Sequence, residues 1–194
     1  VGAPEPPPTD FAVRTARGLL SVRSVDPVAD LKLVHRWMNA PHVVEFWQQG
    51  WPAGRLAAYL TRQLIGRHSR PCLGLLAGVP VSYWEFYRPV AEPVGAGYAA
   101  APTDLGVHVL IGDARLTGKG LGAVLLGAVR DGLLGADPAC GRIVAEPDVR
   151  NLASIRAFER AGFTRRADIT LPDKDAALMI AERPAARTVE RSIP

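Results

Sequence analysis

Arg115-Leu-Thr-Gly118-Lys119-Gly120-Leu121-Gly122 decides how this chain is read. Upstream of it, Leu105–Ile111 carries apolar side chains at 105, 107, 109 and 111, the period-two signature of a strand. Downstream, Leu121, Val124, Leu125 and Ala128 share one helical face and predict a helix to about Leu134. A glycine-rich turn between strand and helix leaves the first helical N–H groups outward and lets a ligand approach the backbone. The helix dipole adds partial positive charge there, and Arg115 and Lys119 add two full charges. The pattern points to a pyrophosphate-binding turn; a tight turn with solvated cations is the plainer alternative. It is not a P-loop, because GxxxxGKS/T is absent, and not a dinucleotide-binding GxGxxG.

Outward from that turn, Leu19–Val25 alternates and reads as a strand. Asp26-Pro27 reads as an N-cap and first-turn proline opening a helix to about Met38. Leu56, Leu60 and Leu64 predict a second helix over Ala53–Arg67. Leu73–Ala77 and Val81–Tyr87 read as a hairpin closed by a Gly-Val-Pro turn. Arg88–Thr103, rich in Pro, Gly and Ala, reads as a long mobile loop, either a lid or an ordinary solvent loop. Arg142–Ala145 is a predicted strand, Asn151–Ala161 a helix capped by Asn151 and ended by Gly162. Phe163–Thr170 and Ala176–Ala181 close the pattern as a strand pair. The order β-α-α-β-β-β-α-β-α-β-β predicts an α/β domain on a mixed sheet. Pro4, Pro6, Pro7 and Pro8 argue against regular structure, so residues 1–16 are expected to be a Pro-rich disordered tail. The folded domain is then 17–183, followed by a second tail at 184–194.

The 194 residues are 48% hydrophobic and 22% charged, which suits one folded domain and not a disordered chain. Basic residues number 23 against 19 acidic, a net of +4 with no Lys/Arg run, so nucleic-acid binding is not expected. Cys72 and Cys140 make no CxxC, and His35, His42, His68 and His108 make no HExxH, so no metal site is expected. No apolar run approaches the ~18–20 residues of a membrane span. The first residues show no charged-then-apolar signal segment. A cytoplasmic protein with reduced thiols, without membrane or nucleic-acid partners, is expected.

Arg115-x-x-Gly118-x-Gly120 resembles the coenzyme A pyrophosphate loop, Q/R-x-x-G-x-G/A, of the GNAT N-acyltransferases. Asn151-Leu-Ala-Ser154-Ile-Arg156-Ala-Phe158-Glu-Arg-Ala-Gly162-Phe163 is similar to a second run of that superfamily. Within it, Trp37-Met-Asn39-x-Pro41-His42, Phe46-Trp47, Tyr83-Trp84-Glu85 and Asp104-Leu-Gly-Val-His108 resemble the siderophore acyltransferases. The likeness runs from about Leu19 to Glu182. It implies a GNAT fold: a mixed, mostly antiparallel sheet with splayed central strands, flanked by helices. It implies acyl transfer, acetyl or succinyl, from acyl-CoA to the hydroxylamine nitrogen of N-hydroxycadaverine, N6-hydroxylysine or N5-hydroxyornithine. The product would be a hydroxamate for siderophore assembly. A small-molecule acceptor, no metal, and a monomer or weak dimer are the further expectations.

In that family the histidine matching His108 is the proposed base. On its strand His108 lies opposite the apolar face, with Asp104 and Gly106, and an ordinary pKa near 6.5 suits general-base work. A half-exposed strand histidine is the plainer reading. Asp148, in Glu146-Pro147-Asp148, can approach His108 if the strands splay as in the superfamily. It would then orient the imidazole; otherwise it is a turn residue held by Pro147. The resemblance places coenzyme A against Val109, Leu110, Ile111, Arg115, Gly118, Lys119, Gly120, Leu121, Gly122, Asn151, Ser154 and Phe158. It places the acceptor against Asn39, His42, Trp47, Trp84 and Glu85, all of which also make sense as core or surface residues. Many members carry a tyrosine where Phe158 stands, to protonate the departing thiolate. Water, His108 or backbone dipoles must serve instead. Two rival readings share these motifs. One is an aminoglycoside 6′-N-acetyltransferase, which usually has an acidic residue at the His108 position and wants an acidic groove, against the net +4 here. The other is a catalytically silent acyl-CoA-binding domain, which Phe158 suits and His108 with Asp148 does not.

Overall fold

Eight strands form one sheet in a computed structural model that describes residues 5–184. They are β1 (Phe11–Thr15), β2 (Gly18–Ser24), β3 (Ser69–Leu76), β4 (Val79–Tyr87), β5 (Leu105–Ile111), β6 (Arg142–Ala145), β7 (Thr164–Thr170) and β8 (Asp175–Glu182). Their spatial order is β1-β2-β3-β4-β5-β6-β8-β7, antiparallel throughout except between β5 and β6. That parallel pairing covers only Leu105↔Ile143 and Gly106↔Val144. Beyond Gly106 the two strands part, so the sheet opens into a wedge beside His108. The mixed, splayed sheet expected from the resemblance is the one the chain adopts.

Each face of the sheet is covered by helices because its apolar side chains need burial. Helices α1 (Leu31–Met38), α2 (Pro41–Trp47) and α3 (Ala53–Ile65) bury Trp37, Leu56 and Leu60 with Tyr83 of β4 and Leu110 of β5. Helices α4 (Leu121–Ala136) and α5 (Leu152–Arg160) bury Leu125, Leu133 and Phe158 with Trp84, Leu105 and Val107 on the other face. Strand parity therefore sends Leu105 and Val107 to the α4–α5 side and His108 and Leu110 to the α1–α3 side. Fully buried leucines such as Leu125 and Leu133 each stabilise the fold by about 2 kcal/mol.

Several boundaries differ from expectation for local reasons. Residues 11–15, placed in the tail, form edge strand β1, paired from Phe11↔Val22 to Thr15↔Gly18. The prolines precede the paired segment, where an edge strand tolerates them. Asp26 does not open a helix; its Oδ1 accepts the Val28 and Ala29 N–H groups in a local turn, and α1 begins at Leu31. The hairpin turn is Ala77-Gly78, both in the left-handed region (φ 49° and 81°), so Val79 and Pro80 already belong to β4. Helix α2 was unexpected; Pro41 sits in its first turn. The Arg88–Thr103 segment carries 3-10 turns at Pro89–Ala91 and Pro93–Gly97, and Val94 is buried with Tyr87 and Leu178. It is anchored to the sheet. Of the expected tails, residues 1–4 and 185–194 lie outside the described residues. Among the described residues no helix is long and apolar enough to cross a membrane.

Candidate active site

The β4–β5 register sets Glu85 directly across from His108, so both side chains leave the same face. Glu85 Oε2 lies 3.3 Å from His108 Nδ1. Glu146, the residue after β6, brings Oε1 onto the other ring nitrogen, Nε2. Its second oxygen accepts the Tyr87 hydroxyl. The Tyr87 ring also lies against the imidazole, with centroids 4.6 Å apart. This approach depends on Gly106, where a Cβ would fall 2.1 Å from the tyrosine ring. Trp47 stands edge-on to the imidazole at 6.1 Å. The His108 side chain is 35% exposed, against 5% for Glu85 and 6% for Glu146. The imidazole is therefore the member of this trio that a ligand can reach, with two carboxylates behind it.

Burial alone would push the His108 pKa down. The charge and hydrogen bond of Glu146, with those of Glu85, outweigh it and lift the group to about 10. Burial raises Glu146 in turn, but the facing His108 charge holds its carboxyl below the usual value. The resting trio is an imidazolium between two carboxylates. Glu85 Oε1 also accepts the Tyr83 hydroxyl at 2.9 Å and the Tyr59 hydroxyl at 3.0 Å. Gln63 Nε2 donates to Tyr59 at 2.9 Å, so α3 fixes the floor of the site. Glu92, in the anchored 88–103 segment, is pushed up by burial while the His68 and His108 charges oppose that shift. The surroundings of His108 are thus acidic, although the chain as a whole is basic.

Asp148 does not meet His108. Both its oxygens bind the Arg150 guanidinium, at 2.9 and 2.6 Å, and Oδ1 accepts the Arg150 N–H. Arg150 accordingly holds the Asp148 carboxyl low. Val144 packs with Tyr87, so the parity of β6 sends Glu146 to the His108 face; after Pro147 the chain turns away. Trp84 is not an acceptor wall: it is fully buried in the α4–α5 core, and its Nε1 donates to Ser82 Oγ at 2.8 Å. Asn39 ends α1, donating to the His35 carbonyl at 2.9 Å. His42 Nε2 lies 2.9 Å from the Ile111 carbonyl, at the far end of β5. Of the five acceptor candidates, Trp47 and Glu85 stand at His108.

At the glycine-rich turn, Gly118 and Gly120 have φ of 70° and 78°, and a Cβ on either would meet nothing within 4 Å. The cradle is open space that a side chain would fill. Gly120 is the N-cap of α4 and no side chain caps that end, which leaves the first N–H groups for an anionic ligand. Such a cradle fits a pyrophosphate. The Arg115 guanidinium is not aimed there; it grips Asp113 at 3.0 and 2.6 Å. Asn151 caps α5 through Ser154 N–H at 3.0 Å. Phe158 is buried against Phe163, and Leu121 and Leu110 are core residues. Gly122 lies where α4, α5 and β5 converge: its Cβ would sit 3.6 Å from both Ala157 and Ile111. Val109 lines the α4–α5 side of the wedge strand.

Sequence reasoning missed Glu146, Tyr87, Tyr83 and Tyr59. The signal for Glu146 was its even spacing from Val144, together with its place one residue past the strand that parts from β5.

The profile of the acetyltransferase (GNAT) domain matches residues 26–171. The lysine N-acyltransferase MbtK of Mycobacterium sp. (strain MCS) is 37% identical over 166 residues, 86% of this chain and 68% of that protein. The N(6)-hydroxylysine O-acetyltransferase of Escherichia coli is 35% identical over 86% of this chain and 53% of its own length. The chain thus spans about half to two thirds of these relatives. The crystal structure of the aminoglycoside acetyltransferase AAC(6')-Ib with coenzyme A superposes with a TM-score of 0.77 at 31% identity, covering 84% of this chain and 95% of that one.

Proposed function

This chain belongs to the GNAT acetyltransferase family, and we propose that it transfers an acyl group, acetyl or succinyl, from acyl-CoA to the nitrogen of an N-hydroxylated diamine or amino acid. N-hydroxycadaverine, N6-hydroxylysine and N5-hydroxyornithine are the acceptors of that class, and the hydroxamate formed serves siderophore assembly. The observation that carries the reading is the Glu85–His108–Glu146 trio at the point where β5 and β6 part. The relatives named for lysine and hydroxylysine support the acceptor class.

The bound thioester supplies an activated carbonyl carbon; the chain supplies position and a proton path. The α4 N-terminus and the Gly118–Gly122 backbone hold the pyrophosphate end. Trp47 and Tyr87 wall the imidazole, and Glu85, Glu92 and Glu146 favour the free ammonium that all three acceptors carry. A hydroxylamine nitrogen is mostly neutral at pH 7, so its lone pair is available. As the C–N bond forms, neutral His108 takes the nitrogen's proton at Nδ1, displacing the long Glu85 contact, while Nε2–H stays on Glu146. As the C–S bond breaks, the same proton passes from His108 to sulfur, a role Phe158 cannot fill. Protons balance across the two steps.

The local acidity also favours a second reading, an aminoglycoside 6′-N-acetyltransferase, because a polycation would sit well beside Glu85, Glu92 and Glu146. Incubating the protein with acetyl-CoA and a panel of N-hydroxy-diamines, N-hydroxy-amino acids and aminoglycosides, with mass detection, separates the two. Faster turnover of an aminoglycoside than of every hydroxylamine would reverse the preference. Ferric-ion colour distinguishes the N-acyl hydroxamate from an O-acyl product.

A further inference from the structure

Asp104, one residue before β5, carries a charge that is 1% exposed and lies outside the Glu85–His108–Glu146 trio. Its oxygens take two arms of the Arg142 guanidinium, Nε at 3.1 Å and Nη2 at 2.7 Å. They also accept the Tyr98 hydroxyl at 3.0 Å and the Ala101 N–H at 2.9 Å. Arg142 Nη2 donates in addition to the Ala99 carbonyl at 2.8 Å, and the guanidinium lies over the Tyr98 ring at 5.2 Å. Asp104 and Arg142 each stand one residue before the rung Leu105↔Ile143, where the short parallel pairing of β5 and β6 begins. His108 and Glu146 each lie four residues further along the chain. An even offset keeps strand parity, so each site residue leaves the same face as its clasp residue. The Asp104–Arg142 pair thus closes the shut end of the wedge, and the His108–Glu146 contact spans the open end, about 13 Å away. Tyr98 joins the two ends: it packs with Val144 and Tyr87, and Tyr87 lies against the imidazole.

We propose that the Asp104–Arg142 ion pair is the positioning element of this site: it sets the spacing from which β5 and β6 part, and so holds Glu146 on His108 Nε2. The inference rests on the reading that the Glu85–His108–Glu146 trio serves acyl transfer. Backbone pairing fixes β5 to β6 over only Leu105↔Ile143 and Gly106↔Val144. A bidentate pair at their base fixes distance and direction together. A buried ion pair gains little stability over apolar side chains of like volume, because both charges leave water. Alignment is what its geometry adds. Glu85 needs no such aid, because the β4–β5 ladder sets it across from His108. Through Tyr98, Ala99 and Ala101 the clasp also fixes the 88–103 segment, which carries Glu92. The anions that reach His108 are therefore Glu85, held by the ladder, and Glu146 and Glu92, held by the clasp. Tyr87 and the Lys174 charge face Glu146, Tyr59 of α3 reaches Glu85, and α2 contributes the uncharged Trp47.

NMR titration of the His108 imidazole, beside the pH dependence of kcat/KM for the hydroxylamine, tests it. Loosening the clasp takes carboxylates away from an imidazolium, so the titration midpoint should fall. Asp104→Asn keeps shape and removes the charge; the midpoint should drop from about 10 by roughly 1 unit or more. Arg142→Lys keeps both charges and removes the fork, which separates alignment from the direct field of Asp104. It should move the midpoint in the same direction by a smaller amount. Above the acid limb, kcat/KM should fall roughly 10- to 100-fold in Asp104→Asn, with acetyl-CoA affinity unchanged. Asp137→Asn is the matched control: it removes one charge of the buried Arg88–Asp137 pair, 3.1 Å apart at the start of the same segment. It should lower Tm and leave the His108 midpoint in place. A midpoint unmoved in both clasp variants overturns the proposal, as does a shift confined to Asp104→Asn or equalled by Asp137→Asn. If Asp104→Asn does not fold, Arg142→Lys decides. Near-parental turnover in His108→Ala would overturn the acyl-transfer role of the trio, while the titration would still decide the clasp.

Discussion

Glu146 Oε1 meets His108 Nε2, whereas the carboxylate of Asp148, two residues on, is given to Arg150. The short chain Glu146-Pro147-Asp148 thus offers two carboxylates, and only the first faces the imidazole. The consequence is electrostatic. With Glu85 on Nδ1 and Glu146 on Nε2, His108 rests protonated, with a pKa of about 10 in place of its ordinary value near 6.5. At pH 7 the neutral form is then only about one part in a thousand.

Removing the imidazole tests its role in turnover. His108→Ala should lower kcat/KM for the hydroxylamine by roughly 10²–10⁴. Acetyl-CoA affinity should hardly change, because it comes from the glycine-rich turn and not from β5's polar face. Near-parental turnover would leave positioning of a neutral nucleophile as the source of rate.

The raised pKa also couples to stability. A group whose folded pKa is raised contributes stability that is fully present below about pH 6.5 and is lost as pH rises through about 10. The parent Tm should therefore fall across that window more steeply than the Tm of His108→Asn. Parallel curves from pH 6 to 10.5 would show that the folded and unfolded proteins hold this proton equally well.

At the cradle, Gly120→Val would strain a residue with φ of 78° and put a branched side chain where the phosphates must come. Acyl-CoA affinity should drop more than tenfold, for a stability cost of about 1–3 kcal/mol. Calorimetry beside thermal unfolding separates the two effects; tight binding by this variant would remove the turn from the site.

Two tryptophans should behave oppositely. Trp84 is fully buried, so Trp84→Ala should cost about 3–5 kcal/mol of stability. Trp47 stands beside His108, so Trp47→Ala should raise KM for the acceptor roughly tenfold with a smaller loss of stability. A reversed pattern in denaturant curves and KM values would move the acceptor pocket to the other face of the sheet.

The glycine-rich turn and the place of His108 on its strand were legible because each follows from local rules, glycine at a helix start and strand parity, whereas the wedge was expected only from the family resemblance. Leu105–Ile111 and Arg142–Ala145 have the boundaries read from the sequence. Glu146 and Asp148 share parity with Val144, and only the turn after Pro147, fixed by Arg150 and by the Asp148↔Ala176 bridge, separates them. Such a choice depends on contacts distant in sequence. Trp84 and Glu85 are adjacent, so strand parity puts one in the α4–α5 core and the other on the opposite face, and the register against β5 then sets Glu85 across from His108. The net +4 is an average over the whole chain and left room for a local acidic patch, which is what Glu85, Glu92 and Glu146 form around His108. Edge strand β1 was hidden by the prolines just before it.

The pH dependence of kcat/KM for the hydroxylamine in three enzymes tests the account most directly. In the parent the acid limb should lie near the His108 pKa of about 10. Glu146 raises that pKa as a neighbouring anion, so Glu146→Gln should move the limb to lower pH by roughly 1–3 units. Asp148→Asn should leave it in place, because that carboxylate is spent on Arg150. The titration of the hydroxylamine itself is common to all three and cancels in the comparison. An acid limb that moves with Asp148→Asn and stays fixed with Glu146→Gln would contradict the assignment of Glu146 as the partner that sets His108.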